Sequence, residues 1–170
     1  SFFTADASTA WKKSLSLIKD AIRFRSSSIG DYPFNTVSVV RTPIGVEGGM
    51  EYPTITNVSD FRDEKTLDLV IQHEIGHNWF YAALGNNERD FPWMDEGLNT
   101  FYDERYENLK YGNHKTLKNA SGKMPENTSV FLINGLARQT LDQAIATSSA
   151  EFTETNYGLI VYYKTARWLS

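Results

Sequence analysis

The chain has 170 residues, a formal charge of −4 and no cysteine. That length suits one domain with a core of its own, and the missing cysteine excludes disulfide scaffolds, cysteine–zinc sites and thiol chemistry. A composition 41% hydrophobic and 14% aromatic excludes wholesale disorder, and the mild acidity argues against a nucleic-acid partner held on a broad basic face.

The first residues, Ser1 to Asp6, lack the basic start and apolar stretch of a signal peptide. No apolar run approaches the roughly 18 residues of a membrane span. From about Ala7 to Phe24, Trp11, Leu15, Ile18 and Ile22 recur at helical steps and predict one helix face. Gly30 to Pro33 reads as a turn and Asn35 to Val40 as a strand. Thr42-Pro43-Ile44-Gly45 interrupts it, and Gly48 to Thr56 is extended, with Pro53 suited to an edge strand. A second helix is expected over Lys65 to Ala83, with Leu67, Val70, Ile71, Ile75, Trp79 and Phe80 inward and Gly85-Asn86-Asn87 closing it. After a loop over Asp90 to Met94, a third helix should run from Asp95 to Tyr111. Gly112 to Ser129 reads as a polar surface excursion, and helices follow near Asn134 to Thr147 and Tyr157 to Leu169. Strands early and helices late predict an α+β fold.

His73-Glu74-Ile75-Gly76-His77 falls within the second helix. At 3.6 residues per turn, positions 73 and 77 share a face one turn apart, so two imidazoles can converge on one cation. Neutral imidazole suits zinc, and a catalytic zinc takes three protein ligands and leaves one position open. Glu74 is rotated away by about 100°, placing it beside the open position and not among the ligands. The third ligand must be Asp, Glu or His114. The best candidate is Glu96, 19 residues after His77 at the start of the third helix, in Trp93-Met94-Asp95-Glu96-Gly97. His114 itself reads as a surface histidine of the polar excursion.

His73-Glu74-x-x-His77, 18 intervening residues, then Glu96 within Asp95-Glu96-Gly97, resembles the aminopeptidase N family of gluzincin zinc exopeptidases. Thermolysin-like endopeptidases share the layout with a third-ligand spacing one residue longer. Gly48-Gly49-Met50-Glu51 resembles the family's Gly-x-Met-Glu-Asn exopeptidase motif, with Tyr52 in place of the asparagine. Tyr162-Tyr163-Lys164-Thr165-Ala166 resembles the Tyr-x-Lys-Gly-Ala stretch that carries the family's catalytic tyrosine, with Thr165 in place of glycine. Trp79-Phe80 matches a packing pair after the second histidine.

The resemblance implies a thermolysin-like zinc peptidase fold: a small N-terminal sheet with an edge strand at the cleft, then a mostly helical part carrying the His-Glu-x-x-His helix. It implies one Zn2+ held by His73, His77 and Glu96, Glu74 as general base and Tyr162 as oxyanion donor. Glu51 inherits the binding of the substrate's free amine, with Gly48, Gly49 and Met50 lining the strand that pairs with the peptide. The expected activity is that of an aminopeptidase on peptides with a free N-terminus. An endopeptidase of the same clan, a zinc-bound scaffold without turnover and a hydrolase of a small lipid epoxide are the alternatives. Residues 1–170 are expected to form one catalytic domain excerpted from a longer chain, with flanking domains as its neighbours. Neither a nucleic-acid partner nor a membrane span is expected, and localisation is left open.

Overall fold

Ala10 and Trp11 begin a 3₁₀ turn, Trp11–Lys13, that leads directly into helix α1, Ser14–Ser28. The tighter turn shifts the helix phase. The inward stripe is therefore Trp11, Ser14, Leu17, Ile18, Ala21 and Arg25, while Leu15 is exposed and Ile22 only half-buried. A uniform 3.6-residue period through Trp11 had put Leu15 and Ile22 on the inner face. The computed structural model describes residues 1–42, 48–112 and 128–170. His114, most of the polar excursion and the Thr42–Gly45 interruption beyond Thr42 lie outside the described residues. The described chain divides into two compact units, Ser1–Gly85 and Asn86–Ser170.

In the first unit the strands are β1, Ser38–Arg41, β2, Gly49–Met50, and β3, Ile55–Val58. Their order is β1-β3-β2; β1 runs parallel to β3, and β2 antiparallel to it with Gly49 opposite Val58 and Met50 opposite Asn57. β2 is thus an edge strand. The extended stretch over 48–56 is two strands joined by a turn, because the Ile55 amide donates to the Tyr52 carbonyl at 3.0 Å. Pro53, expected on an edge strand, sits instead in this turn, where its fixed φ suits the first central position. Thr54 follows with φ +65°.

Helix α2, Glu64–His77, starts where the Asp63 carboxylate accepts the Thr66 amide at 2.8 Å. It packs against α1 and against β2 and β3. Leu67, Ile71 and Ile75 are fully buried, together with Trp11, Val39 and Val58. Regular α-helix ends at His77; a π-helical segment, Asn78–Ala83, completes the expected helical span and Gly85 closes it.

In the second unit a π-helical turn, Trp93–Gly97, opens helix α3, Leu98–Tyr111. Helix α4 is Thr128–Arg138, earlier than the helix expected over 134–147. It stops because Thr140 turns to φ +56° and the Leu141 amide returns to the Leu136 carbonyl at 3.0 Å. The Gln143 side chain, which would have lain on a helix face, ties the loop down, taking the Thr153 amide at 2.9 Å and donating to the Glu151 carbonyl at 2.8 Å. The last helical stretch is composite: α5, Glu154–Asn156, a π-helical segment, Tyr157–Lys164, and α6, Thr165–Leu169. Tyr106, Ile160, Val161 and Ala166 form the buried apolar centre of this unit.

Candidate metal centre

Because α2 stays regular through its last turn, His73 and His77 stand one above the other. Their Nε2 atoms lie 3.2 Å apart, with the rings at 87° to one another. Zinc–nitrogen bonds of about 2.0–2.1 Å at a tetrahedral angle separate two ligand nitrogens by about 3.4 Å. The donor pair therefore fits a tetrahedral zinc in both element and spacing.

Glu74 is buried, at 6% exposure. Strand β2 passes directly over it: a Cβ on Gly49 would lie 2.3 Å from the Glu74 Cδ and Oε1 atoms. Any larger residue at this position would have to push the Glu74 side chain aside. Glu51, half-buried just past β2, joins the same cluster: one carboxylate oxygen each of Glu51 and Glu74 and a ring nitrogen of His77 all lie within 4.8 Å of one another. Two carboxylates at this range repel, and a cation between or beside them relieves the repulsion. The first unit alone thus brings together four of the predicted site residues, His73, His77, Glu74 and Glu51, with Gly49 and Met50 on the adjoining strand.

Two polar residues support this cluster without any motif to announce them. Asn78, 2% exposed, accepts the Thr54 amide at 2.9 Å and donates to the Ile75 carbonyl at 3.0 Å. Arg25, fully buried on α1, donates to the Gln72 side chain at 3.1 Å and to its carbonyl at 3.4 Å, immediately before His73. A polar residue at a helix end and an arginine on an amphipathic face are ordinary in sequence, so neither gave a signal.

In the second unit Glu96 occupies the Trp93–Gly97 π-turn and is half-buried, between Asp95 and Gly97, both buried. A Cβ on Gly97 would lie 2.4 Å from the Thr165 Cγ2 and 2.6 Å from the Val161 carbonyl oxygen. The turn carrying Glu96 and the helix carrying Tyr162 are therefore in backbone contact within this unit. Tyr162 is half-buried, with its ring centroid 6.1 Å from that of Tyr157, whereas Tyr163 is exposed.

No family model matches the chain. In sequence it is 33% identical over 67 residues to leukotriene A-4 hydrolase of Xenopus laevis, and 33% identical over 79 residues to human aminopeptidase B. These matches take in 38% and 45% of the chain but only 11% and 12% of the relatives. In structure it resembles an M1 zinc metallopeptidase from Deinococcus radiodurans, with a TM-score of 0.58 at 15% identity over 98% of the chain. It also resembles yeast leukotriene A4 hydrolase, with a TM-score of 0.57 at 18% identity over 92% of the chain. The chain thus has the fold of part of an M1 zinc metallopeptidase, and its sequence relatives are an aminopeptidase and leukotriene A-4 hydrolase. It spans about a tenth of the curated relatives it matches, and 33% and 25% of the two solved ones. The M1 fold neighbours agree with the mixed α and β architecture, a small three-stranded sheet followed mostly by helix.

Proposed function

We propose that this segment is one catalytic domain of a zinc-dependent aminopeptidase of the M1 family with a thermolysin-like core. The observation that carries the reading is the convergence of Glu51 with Glu74 and His77 inside one unit. A general base and a metal ligand alone describe any peptidase of the clan; a second carboxylate at the edge strand describes one that selects a free amine.

His73 and His77 would hold the zinc, with Glu96 as third ligand on the strength of its spacing and its family motif. Zinc, when bound, supplies a Lewis acid that polarises the scissile carbonyl and acidifies water. Glu74 takes the proton of the attacking water and returns it to the departing amine. Its burial beneath Gly49 keeps the carboxylate in one place and largely shielded from bulk solvent. Glu51 binds the substrate's N-terminal ammonium, so that cleavage falls after the first residue, and the outer edge of β2 offers main-chain pairing to the peptide. Tyr162 donates its hydroxyl to the developing oxyanion. A mutant of the Deinococcus metallopeptidase has been solved with Tyr-Ser-Ala substrate bound, which agrees with peptides as the substrate class here.

The test is metal analysis of the full-length parent protein together with turnover of amino-acid anilides and of the same peptides blocked at the N-terminus. Expected are one zinc per chain and strong preference for the free amine. In Glu51→Ala that preference should collapse. Equal cleavage of blocked and free peptides identifies an endopeptidase, and zinc without turnover identifies a scaffold; either result overturns the reading.

A further inference from the structure

We propose that Asn78 is a positioning residue that holds the amine-binding strand in register with the metal-bearing helix, a role that rests on the aminopeptidase reading above. Asn78 directly follows His77 and is buried. Both ends of its amide are committed, and the partners fix its orientation: an N–H at Thr54 requires the oxygen, and a carbonyl at Ile75 requires the NH2. One arm grips the last turn of α2, which carries His73, Glu74 and His77. The other reaches the turn between β2 and β3.

That turn is where holding is needed. Thr54 sits at φ +65°, a conformation that β-branched residues rarely adopt. Its carbonyl accepts the Ser38 amide at 2.7 Å, and its own amide is the one Asn78 takes. Glu51 lies three residues upstream, at the mouth of the same turn. Removing the Asn78 amide leaves the Thr54 N–H without its acceptor at a strained φ. The turn then relaxes and Glu51 shifts against Glu74, while His73 and His77 stay on their helix. The loss should fall on substrate binding and spare the metal.

The experiment uses the zinc-loaded full-length protein with Asn78→Ala, Thr54→Gly and the double variant. Glycine adopts φ +65° freely, so Thr54→Gly removes the strain that the clamp opposes. Asn78→Ala should raise KM for an amino-acid anilide by about tenfold, as expected for one buried hydrogen bond lost. Its kcat should stay within about threefold and its zinc content should not change. Hydrogen exchange at the Thr54 amide should accelerate by about tenfold or more. In the double variant KM should return to within about threefold of wild type. Wild-type KM and Thr54 exchange in Asn78→Ala overturn the proposal, as do loss of zinc with collapse of kcat or a double variant with no recovery. Should Asn78→Ala not fold, Asn78→Asp replaces it, since it keeps an oxygen toward Thr54; loss of Thr54 protection in that variant is equally fatal. Wild-type protein that neither binds zinc nor cleaves anilides overturns the aminopeptidase reading and the positioning role together. An active wild type with an unaltered Asn78→Ala overturns the positioning role alone.

Discussion

The two units place the side chains of the candidate site by different means. In the first, His73, Glu74 and His77 leave a regular α-helix whose ordinary pitch already stacks the two imidazoles. The widened π-helical segment begins only at Asn78, after the turn that carries both histidines is complete. In the second, Glu96 and Tyr162 each sit inside a π-helical stretch, Trp93–Gly97 and Tyr157–Lys164. A π-turn adds a residue to the helical turn, re-aims the side chains on it and recurs at functional sites. Pitch does the placing in one unit, and a departure from pitch does it in the other.

The largest effect expected from this difference lies in the first unit. Glu74→Gln keeps the shape beneath Gly49 and removes the proposed base, so turnover should fall by about 10² to 10⁴-fold. Zinc content and thermal stability should stay near wild type, because the imidazole pair and the α2 core are untouched. Single-turnover kinetics beside metal analysis decides it; a variant retaining most of its kcat would remove Glu74 from the chemistry.

The next effect tests the second unit. Gly97→Ala drives a methyl into Thr165 and into the Val161 carbonyl, and the carbonyl belongs to backbone that cannot swing aside. Overpacking of this kind costs about 1–3 kcal/mol, read as a lower denaturant midpoint. Thr165→Gly, which removes the side chain that the added methyl meets, should recover part of the loss when combined with it. A fully stable Gly97→Ala would mean that the Glu96 turn does not depend on close contact with the Tyr162 helix.

The same contrast governs how much of the molecule was legible in the sequence. His73 and His77 were readable because α-helical spacing is a fixed rule and α2 obeys it through His77. Leu15 and Ile22 were misplaced because the 3₁₀ turn at Trp11 changed the phase, and a 3₁₀ turn has no hydrophobic signature of its own. Pro53 was assigned to a strand when its fixed φ was serving a turn. The helix expected over 134–147 ends at Arg138 instead, because Thr140 turns to φ +56° and Gln143 commits its amide to Glu151 and Thr153 further along the chain, which no helical period announces. Asn78 was invisible for a similar reason, since its meaning depends on Thr54, 24 residues away.

The smallest effect expected is a difference in acid sensitivity between the units. In the first, Asp60 lies 2.7 Å from Arg41, and the pair is part-buried. Burial pushes the Asp60 carboxyl up, but hydrogen bonds from Arg41 and Ser8 outweigh it and hold the pKa below the usual 3.8. A carboxyl depressed in the folded state contributes stability that is present above its unfolded pKa and is lost as pH falls through the folded value. Asp6 and Asp63 are lowered as well, chiefly by hydrogen bonds from Thr4 and Thr66 respectively, so these three act in one direction. In the second unit Glu104 is raised by burial, only partly countered by Arg167, while Asp142 is lowered by its hydrogen bond from Lys164. A raised carboxyl gains stability as pH falls, so these two oppose one another. Hydrogen exchange followed from pH 7 to about pH 3, below the usual carboxylate range, should therefore show the first unit opening earlier than the second. Asp60→Asn should flatten the acid response of the first unit and leave the second unchanged. Equal acid responses in wild type, or an Asp60→Asn variant as acid-sensitive as wild type, would remove the Arg41–Asp60 pair as the source of the difference.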